Sequence, residues 1–234
     1  MRRASAVQLV VIGAIAGVIA CALALLLPWL PTPASREAGR IDFVFWFTAG
    51  ICIFIFSIVA AVSIYSVWRF RAAPDDDSDG PPTHGHTKLE IVWTAVPAAF
   101  VTAIAIVSAI VLSKNDAEGA TPLIVRVHAR QFTWSFAYPG SKKEFPVLRL
   151  PVDRSVVLRM RSDDVIPSFW VPEFSQKQDV VPGITTKVHI TPTRIGTYPV
   201  ICTELCGLGH GIMRSKVVVM SRSKFDAWLA KKGS

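Results

Sequence analysis

The sequence predicts a membrane-anchored α + β protein, in which an N-terminal apolar segment and a transmembrane helix hairpin precede an exported β-domain. Hydrophobic residues make up 51% of the 234-residue chain and charged residues only 18%, which is too apolar for a typical soluble domain. Three long windows carry no charge, and the chain beyond residue 113 changes to short alternating segments. Intrinsic disorder and a disulfide-dense scaffold are excluded, because the chain is too apolar for the first and has only 4 cysteines for the second.

The three charge-free windows are Ala4–Ser35, Phe43–Trp68 and Ile91–Ser113. Each exceeds the ~20 residues with which an α-helix crosses a hydrocarbon core. The second and third windows predict a two-helix transmembrane hairpin over residues 41–113. The first, within residues 1–35, is equally typical of an uncleaved transmembrane helix and of an export signal that is removed, because two arginines precede its long apolar run.

Basic side chains in the short loops set the predicted orientation. Five of them, Arg2, Arg3, Arg69, Arg71 and Lys88, fall on one side of the spans, against Arg36 and Arg40 on the other. The positive-inside rule makes the first group cytoplasmic, so residues 114–234 lie beyond the outer face of the cytoplasmic membrane. Residues 114–234 hold 18 basic and 10 acidic side chains, whereas residues 1–113 hold seven of each. The basic excess is therefore exported, and nucleic acid is not an expected partner.

A polar connector, residues 72–82, joins the two helices of the hairpin. Asp75, Asp77 and Asp79 imitate the start of a calcium-binding loop, but His86 occupies the position that should supply a bidentate glutamate. The segment therefore predicts a solvated loop, and His84 and His86 are expected to be plain loop residues.

Short alternating segments after Lys114 predict half-buried β-strands, because side chains with a period of two face the core and the solvent in turn. The clearest are Val125–Arg130, Val156–Arg161, Thr186–Ile190, Gly196–Ile201 and Ser215–Met220. Many short strands at this spacing predict a β-sandwich or a Greek-key barrel. Residues 224–231 predict a short terminal helix, and His128 and His189 are expected at the surface.

The chemistry of the sequence is concentrated in residues 202–213, between the last two predicted strands. Two thiols (Cys202 and Cys206), an imidazole (His210) and a thioether (Met213) lie within twelve residues. Sulfur and nitrogen donors suit copper, whereas calcium and magnesium prefer oxygen. The alternative is a disulfide between the two exported cysteines. The close spacing of His and Met behind the second cysteine favours copper.

The pattern Cys-x-Glu-x-Cys-Gly-x-Gly-His-x-x-Met in residues 202–213 resembles the binuclear copper signature of the cytochrome c oxidase subunit II family. Further segments are similar to that family's aromatic strand, its core segment, the run before its copper loop and the start of its second helix. They are Gln131–Trp134, Ser168–Phe174, Lys177–Gly183 and Leu89–Pro97. The resemblance extends over residues 41–220.

This resemblance implies a cupredoxin-like Greek-key β-barrel in residues 114–234, which accepts electrons from cytochrome c at a copper A site. The electrons would pass to haem in subunit I, where oxygen is reduced. It also implies that Cys202 and Cys206 bridge two coppers, with His210, Met213 and the carbonyl of Glu204 as further ligands. The Glu204 carboxylate is implied as a ligand of magnesium at the interface with subunit I, and subunit III is a further expected partner.

Three positions modify these expectations. Pro167 stands where the family has its remaining copper ligand, a histidine, so one firmly bound copper and a weakly bound second one are expected. Phe132 stands where the family has an electron-admitting tryptophan, which leaves Trp134 as the expected electron-input residue. Glu90, at the cytoplasmic end of the third window, is equally typical of a hydrated boundary residue and of the proton-uptake residue that the resemblance implies. The basic excess further predicts an electron donor that is less basic than usual or that is held by another route.

Two other functions compete with this interpretation. One is an accessory subunit of a quinol-fed oxidase with a degenerate copper site, which the retention of both cysteines, His210 and Met213 argues against. The other is a non-enzymatic, membrane-anchored copper-binding protein, which accounts poorly for Glu90 and the helix hairpin.

Overall fold

The computed structural model describes residues 3–71, 80, 82, 84–117, 119 and 121–233, so the calcium-like aspartates of the polar connector lie outside the described residues. The chain divides into two units. A helical unit comprises Met1–Trp29 and Val44–Ser108, and a β-rich unit comprises Leu30–Phe43 and Ala109–Ser234.

Three long helices confirm the three apolar windows: α1 (Arg3–Leu26), α2 (Arg36–Arg69) and α3 (Thr87–Asn115). Each is long and apolar enough to cross a membrane. Helix α2 begins several residues before its charge-free window, because Ser35 caps it. The Ser35 hydroxyl accepts a hydrogen bond from the backbone N–H of Ala38 at 3.0 Å, which satisfies one of the free N–H groups at the helix start.

Within the helical unit, α1 approaches α2 through small residues. A Cβ atom added to Gly17 would lie 2.9 Å from the Ser57 hydroxyl oxygen, and one added to Gly13 would lie 3.4 Å from the Cβ of Ala61. Glycines four residues apart allow such close approach of two helices in a membrane. The first apolar segment therefore has a packed partner in α2.

The described residues of the β-rich unit form ten strands in two five-stranded sheets. The strands are β1 (Leu123–Arg130), β2 (Thr133–Ala137), β3 (Glu144–Phe145), β4 (Leu148–Pro151), β5 (Val156–Ser162), β6 (Ser168–Val171), β7 (Gln176–Asp179), β8 (Thr186–Ile190), β9 (Gly196–Cys202) and β10 (Arg214–Met220). The first sheet has the order β3-β2-β1-β5-β8 and the second β4-β10-β9-β6-β7. The predicted sandwich of short strands is confirmed.

The core lies between the inward faces of the two sheets. Alternating residues of the strands are fully buried there, for example Val125 and Leu158 of the first sheet and Val217 of the second. The terminal helix α4 (Arg222–Gly233) closes one part of this core. Its Phe225 is fully buried, and the ring centroid of Trp228 lies 5.0 Å from that of Tyr138 in an edge-on contact.

The prediction of a surface position is wrong for His189, which is buried in β8 with an Nδ1 atom that lacks a hydrogen-bond partner among the described residues. The alternation of β8 stops at its last three residues, all of which are buried. The backbone of Ala34 and Arg36 pairs with Thr193 and Thr191, just beyond this strand. The segment of residues 34–36, which is distant in sequence, therefore covers this end of the sheet. His128, by contrast, is half-exposed and pairs with Glu144 at 2.8 Å.

Candidate metal centre

The donor-rich segment is the loop between β9 and β10, two antiparallel neighbours of the second sheet. Cys202 is the last residue of β9, and its N–H donates a hydrogen bond to the carbonyl of Met213 at 3.2 Å. One turn of 3-10 helix, His210–Ile212, returns the chain towards β10. The first and last donor residues of the loop are thus held together by the same strand pair.

The other three donor side chains converge around the sulfur of Cys206. Its Sγ lies 3.6 Å from the Sγ of Cys202, 3.6 Å from the Sδ of Met213 and 3.7 Å from the Nδ1 of His210. The two cysteines are free thiols, since a disulfide bond would require about 2.05 Å between the sulfurs. Donor atoms of Cys202, Cys206 and His210 all lie within 4.8 Å of one another. The loop therefore gathers sulfur and nitrogen ligands around one point.

Burial sets the electrostatics of this cluster. Cys202, Cys206 and Met213 are all nearly inaccessible to solvent, whereas His210 is partly exposed. Burial, with a smaller contribution from the neighbouring Cys202, raises the pKa of the Cys206 thiol to about 11. At neutral pH the metal-free Cys206 thiol therefore retains its proton. A bound metal must displace it, because thiolates and not thiols are the ligands.

Glu204 contributes its two oxygen-bearing groups in different ways. Its backbone carbonyl accepts a contact from the Cys202 thiol at 3.3 Å and so points into the cluster. Its side chain is exposed. The residue thus adds an oxygen donor to the cluster through its main chain and leaves its carboxylate at the surface.

The loop between β1 and β2 supports the donor loop from the first sheet. The Gln131 side-chain amide donates a hydrogen bond to the carbonyl of Cys206 at 2.9 Å. The ring of Phe132 packs so closely on Gly209 that an added Cβ there would lie 2.4 Å from it. The sequence does not identify Gln131 as a site residue, because its contact joins residues 75 positions apart and the local pattern carries no sign of it.

Trp134, the expected electron-input residue, lies in the core of the sandwich. It is 3% exposed, and its ring meets that of Phe169 edge-on at a centroid distance of 5.4 Å. The aromatic ring that contacts the donor loop is Phe132, which is partly exposed.

Pro167 is buried immediately before β6, the neighbour of β9. In the register of these antiparallel strands Phe169 stands opposite Cys202. Since side chains alternate along extended chain, residue 167 falls on the same face as Phe169 and Cys202. A proline ring therefore stands where a side-chain ligand from this strand would have to begin.

Glu90 belongs to the helical unit, in the first turn of α3. It is exposed, and its carboxylate accepts a hydrogen bond from the backbone N–H of His86 at 2.9 Å. The His86 ring in turn accepts one from the N–H of Leu89 at 3.2 Å. Glu90 and His86 thus cap the helix reciprocally. His86 has a structural role that the sequence interpretation did not assign to it.

The donor set fits copper better than other ions. Two thiols, an imidazole and a thioether are soft or intermediate donors, and a thioether is rarely a ligand of zinc. A β-sandwich that carries such a cluster in a strand-connecting loop, preceded by helices able to span a membrane, defines a membrane-anchored, cupredoxin-like copper protein.

Comparison with known proteins gives the family. The family described as "Cytochrome C oxidase subunit II, transmembrane domain" matches residues 23–111, and "Cytochrome C oxidase subunit II, periplasmic domain" matches residues 144–221. Cytochrome c oxidase subunit 2 of Synechocystis sp. is 32% identical over 248 residues, which cover 86% of this chain and 75% of that protein. The chain belongs to the cytochrome c oxidase subunit II family. It is accordingly a multi-pass membrane protein with an exported C-terminal domain.

Two other similar proteins bear on the comparison. A probable quinol oxidase subunit 2 of Staphylococcus epidermidis is 30% identical over 182 residues, covering 76% of this chain and 49% of that protein. Among solved structures, the periplasmic domain of subunit II of the Bradyrhizobium japonicum cytochrome oxidase has 25% sequence identity and a TM-score of 0.47. The match covers 50% of this chain and 96% of the solved chain.

Proposed function

We propose that this chain is the electron-input subunit of a respiratory haem-copper oxidase. It takes electrons from a cytochrome c-type donor at a copper centre in the exported domain, residues 114–234, and passes them to haem in subunit I, where oxygen is reduced. The observation that carries the proposal is the convergence of three buried or partly buried donor side chains, those of Cys202, His210 and Met213, on the sulfur of Cys206. The hairpin of residues 41–113 carries the domain, and subunits I and III are its membrane partners.

The ligands proposed for copper are the thiolates of Cys202 and Cys206, the imidazole of His210, the thioether of Met213 and the carbonyl of Glu204. Bound copper supplies a one-electron redox couple. The exposed Glu204 carboxylate is free to bind magnesium at the interface with subunit I.

The protein frame suits rapid electron exchange because hydrogen bonds and burial hold the ligands in place. A backbone hydrogen bond fixes Cys202 to Met213. The side-chain amide of Gln131 fixes the carbonyl of Cys206 by a second hydrogen bond. Burial of the sulfur atoms excludes water that would otherwise reorient with each change of charge. Ligands that do not have to move keep the reorganisation energy of electron transfer small.

The number of strong donors argues for one firmly bound copper. The chain has 5 histidines, and His210 is the one that joins the described donor cluster. Pro167 has no side-chain donor, although it lies on the face of its strand that Cys202 shares. A second copper would therefore have both thiolates and Met213 but no imidazole, and would bind weakly or with water as a substitute.

Two further roles belong to this proposal. Glu90 would take up protons from the cytoplasmic side. Trp134 would act in electron input, but as a buried relay behind Phe132, because its ring is closed to a docked protein.

The competing function is that of an accessory subunit in a quinol-fed oxidase, which the similarity to a probable quinol oxidase subunit 2 favours.

Oxidation of reduced cytochrome c and of quinol by the purified oxidase distinguishes the proposed function from the competing one. The matched variants are Cys206→Ser in the donor cluster and Cys52→Ser in α2. Cys206→Ser should abolish cytochrome c oxidation and Cys52→Ser should leave it intact. The proposal would be contradicted if the unmodified oxidase did not oxidise cytochrome c and both variants oxidised quinol at the same rate.

A further inference from the structure

The outward face of the first sheet carries a group of arginines that the proposed function does not use. Arg126 and Arg130 alternate with buried residues along β1, and Arg159 and Arg161 do the same along β5. All four are exposed. We call these four residues the basic sheet face.

The strand register brings like charges side by side on this face. In the parallel pair of β1 and β5, Arg126 stands opposite Arg159, and His128 stands opposite Arg161. Lys187 of β8 continues the first of these rows beyond Arg159. Like charges on neighbouring strands repel one another and are unfavourable in a sheet. A bound anionic partner would relieve this repulsion.

In the described part of the chain, acidic residues border this face without pairing with its arginines. Glu144 of β3 is held by His128 at 2.8 Å and by the Ser135 hydroxyl at 2.6 Å, and the exposed Asp163 follows Arg161 just beyond the end of β5. Across the described ranges of the chain, the arginines of the basic sheet face form no ion pair. Their guanidinium groups remain available to an external anion.

One end of the basic sheet face adjoins the donor loop. Arg130 directly precedes Gln131, whose amide holds the carbonyl of Cys206. On β5, Arg161 lies two residues before Asp163, whose N–H donates to the carbonyl of Ala129 at 3.0 Å. A protein bound across these strands would therefore border the metal centre.

We propose that the basic sheet face is the docking surface of an acidic redox protein that delivers electrons to the metal centre. This inference rests on the proposed function and specifies the class of donor. Guanidinium groups form paired hydrogen bonds with carboxylates, so that they recognise an acidic protein surface geometrically as well as by charge. An anionic lipid surface fits less well, because the β2 residues that stand opposite Arg130, His128 and Arg126 are Thr133, Ser135 and Ala137 and supply no large apolar anchor.

Acidic side chains also occur near the donor loop, and docking on them would give a preference for a basic donor instead. Asp164 accepts hydrogen bonds from the backbone N–H groups of Gln131 and Val165 at 2.9 and 2.8 Å, and it is exposed, as are Asp179 and Glu204. A basic donor that docks on these residues would react faster than an acidic one. The charge preference of the reaction therefore distinguishes the two surfaces.

The test is stopped-flow reduction of the metal centre in the purified oxidase by two c-type cytochromes of similar potential, one acidic and one basic, over a range of salt. The variant is Arg126→Gln/Arg159→Gln, and Lys224→Gln/Lys231→Gln on α4 is a control with equal charge loss. At low salt the acidic donor should react about tenfold faster than the basic donor, and its rate should fall as salt rises. The arginine variant should lose most of this advantage and its salt dependence, and the lysine control should keep both.

A faster reaction with the basic donor, or equal behaviour of the arginine and lysine variants, would overturn the inference. So would a loss of binding to anionic phosphatidylglycerol vesicles in the arginine variant with unchanged donor rates, because the face would then serve lipid. If neither cytochrome reduces a centre that ascorbate does reduce, the proposed function itself fails.

Discussion

The carboxylate of Glu37, in the first turn of α2, accepts a hydrogen bond from the backbone N–H of Thr191 at 2.8 Å, across 154 residues of chain. Glu37 is 5% exposed. The N–H of Arg36 donates to the carbonyl of the same threonine at 3.0 Å. The start of α2 and the chain beyond β8 are thus joined by a buried, charge-assisted contact and a backbone pair.

Replacement of Glu37 by alanine should lower the stability of the β-rich unit, because the Thr191 N–H would lose its acceptor in a buried place. We expect a loss of about 1–3 kcal/mol in the free energy of unfolding. Glu37→Gln keeps an acceptor oxygen and should cost less. Thermal unfolding of the full chain in detergent measures both. An alanine variant as stable as the unmodified chain would show that water replaces the carboxylate.

The packing of Phe132 on the donor loop can be tested with two glycines of that loop. A Cβ at Gly209 would overlap the Phe132 ring, whereas a Cβ at Gly211 has no atom within 4 Å. Gly209→Ala should therefore displace the loop or the ring, cost about 1–3 kcal/mol as overpacking does and lower copper retention during dialysis against a chelator. Gly211→Ala should retain copper like the unmodified chain. Equal retention by the two variants would contradict the described contact.

Glu90 combines a capping contact with the proposed proton uptake, and two substitutions separate these roles. Glu90→Gln preserves an acceptor for the His86 N–H but cannot carry a proton, so it should slow oxygen turnover several-fold or more while assembly and copper content stay unchanged. Glu90→Ala should in addition weaken the start of α3 by roughly 0.5–2 kcal/mol. Turnover of Glu90→Gln that matches the unmodified oxidase at every pH would reject proton uptake and leave the cap as the role of Glu90.

Hydrophobic patterning was sufficient to predict much of this protein. Charge-free windows located the three long helices because a bilayer selects for them, and period-two alternation located β5, β8 and β9 to within a residue or two. The donor loop was evident because its four donor side chains lie close together in the sequence. Such features depend on local sequence alone.

Features that depend on contacts between distant residues could not be predicted in this way. His189 has the sequence surroundings of an exposed strand residue, but chain from residues 34–36 covers its end of the sheet. Gln131 supports Cys206 from another sheet. The like-charge row of the basic sheet face appears only when the register of β1 and β5 is known. In each case tertiary contacts between distant segments decide the outcome.

The copper content of the full chain, purified alone in detergent, tests most directly whether it holds a copper centre with one strong site. We expect one tightly bound copper per unmodified chain, and two in Pro167→His with an electron paramagnetic resonance spectrum of one electron shared between equivalent coppers. Pro167→Ala, which removes the proline ring without adding a donor, and Ile166→His, which places an imidazole on the opposite face, should both remain at one. Two tightly bound coppers with the shared-electron spectrum in the unmodified chain would show that another group replaces the missing imidazole and would contradict this account.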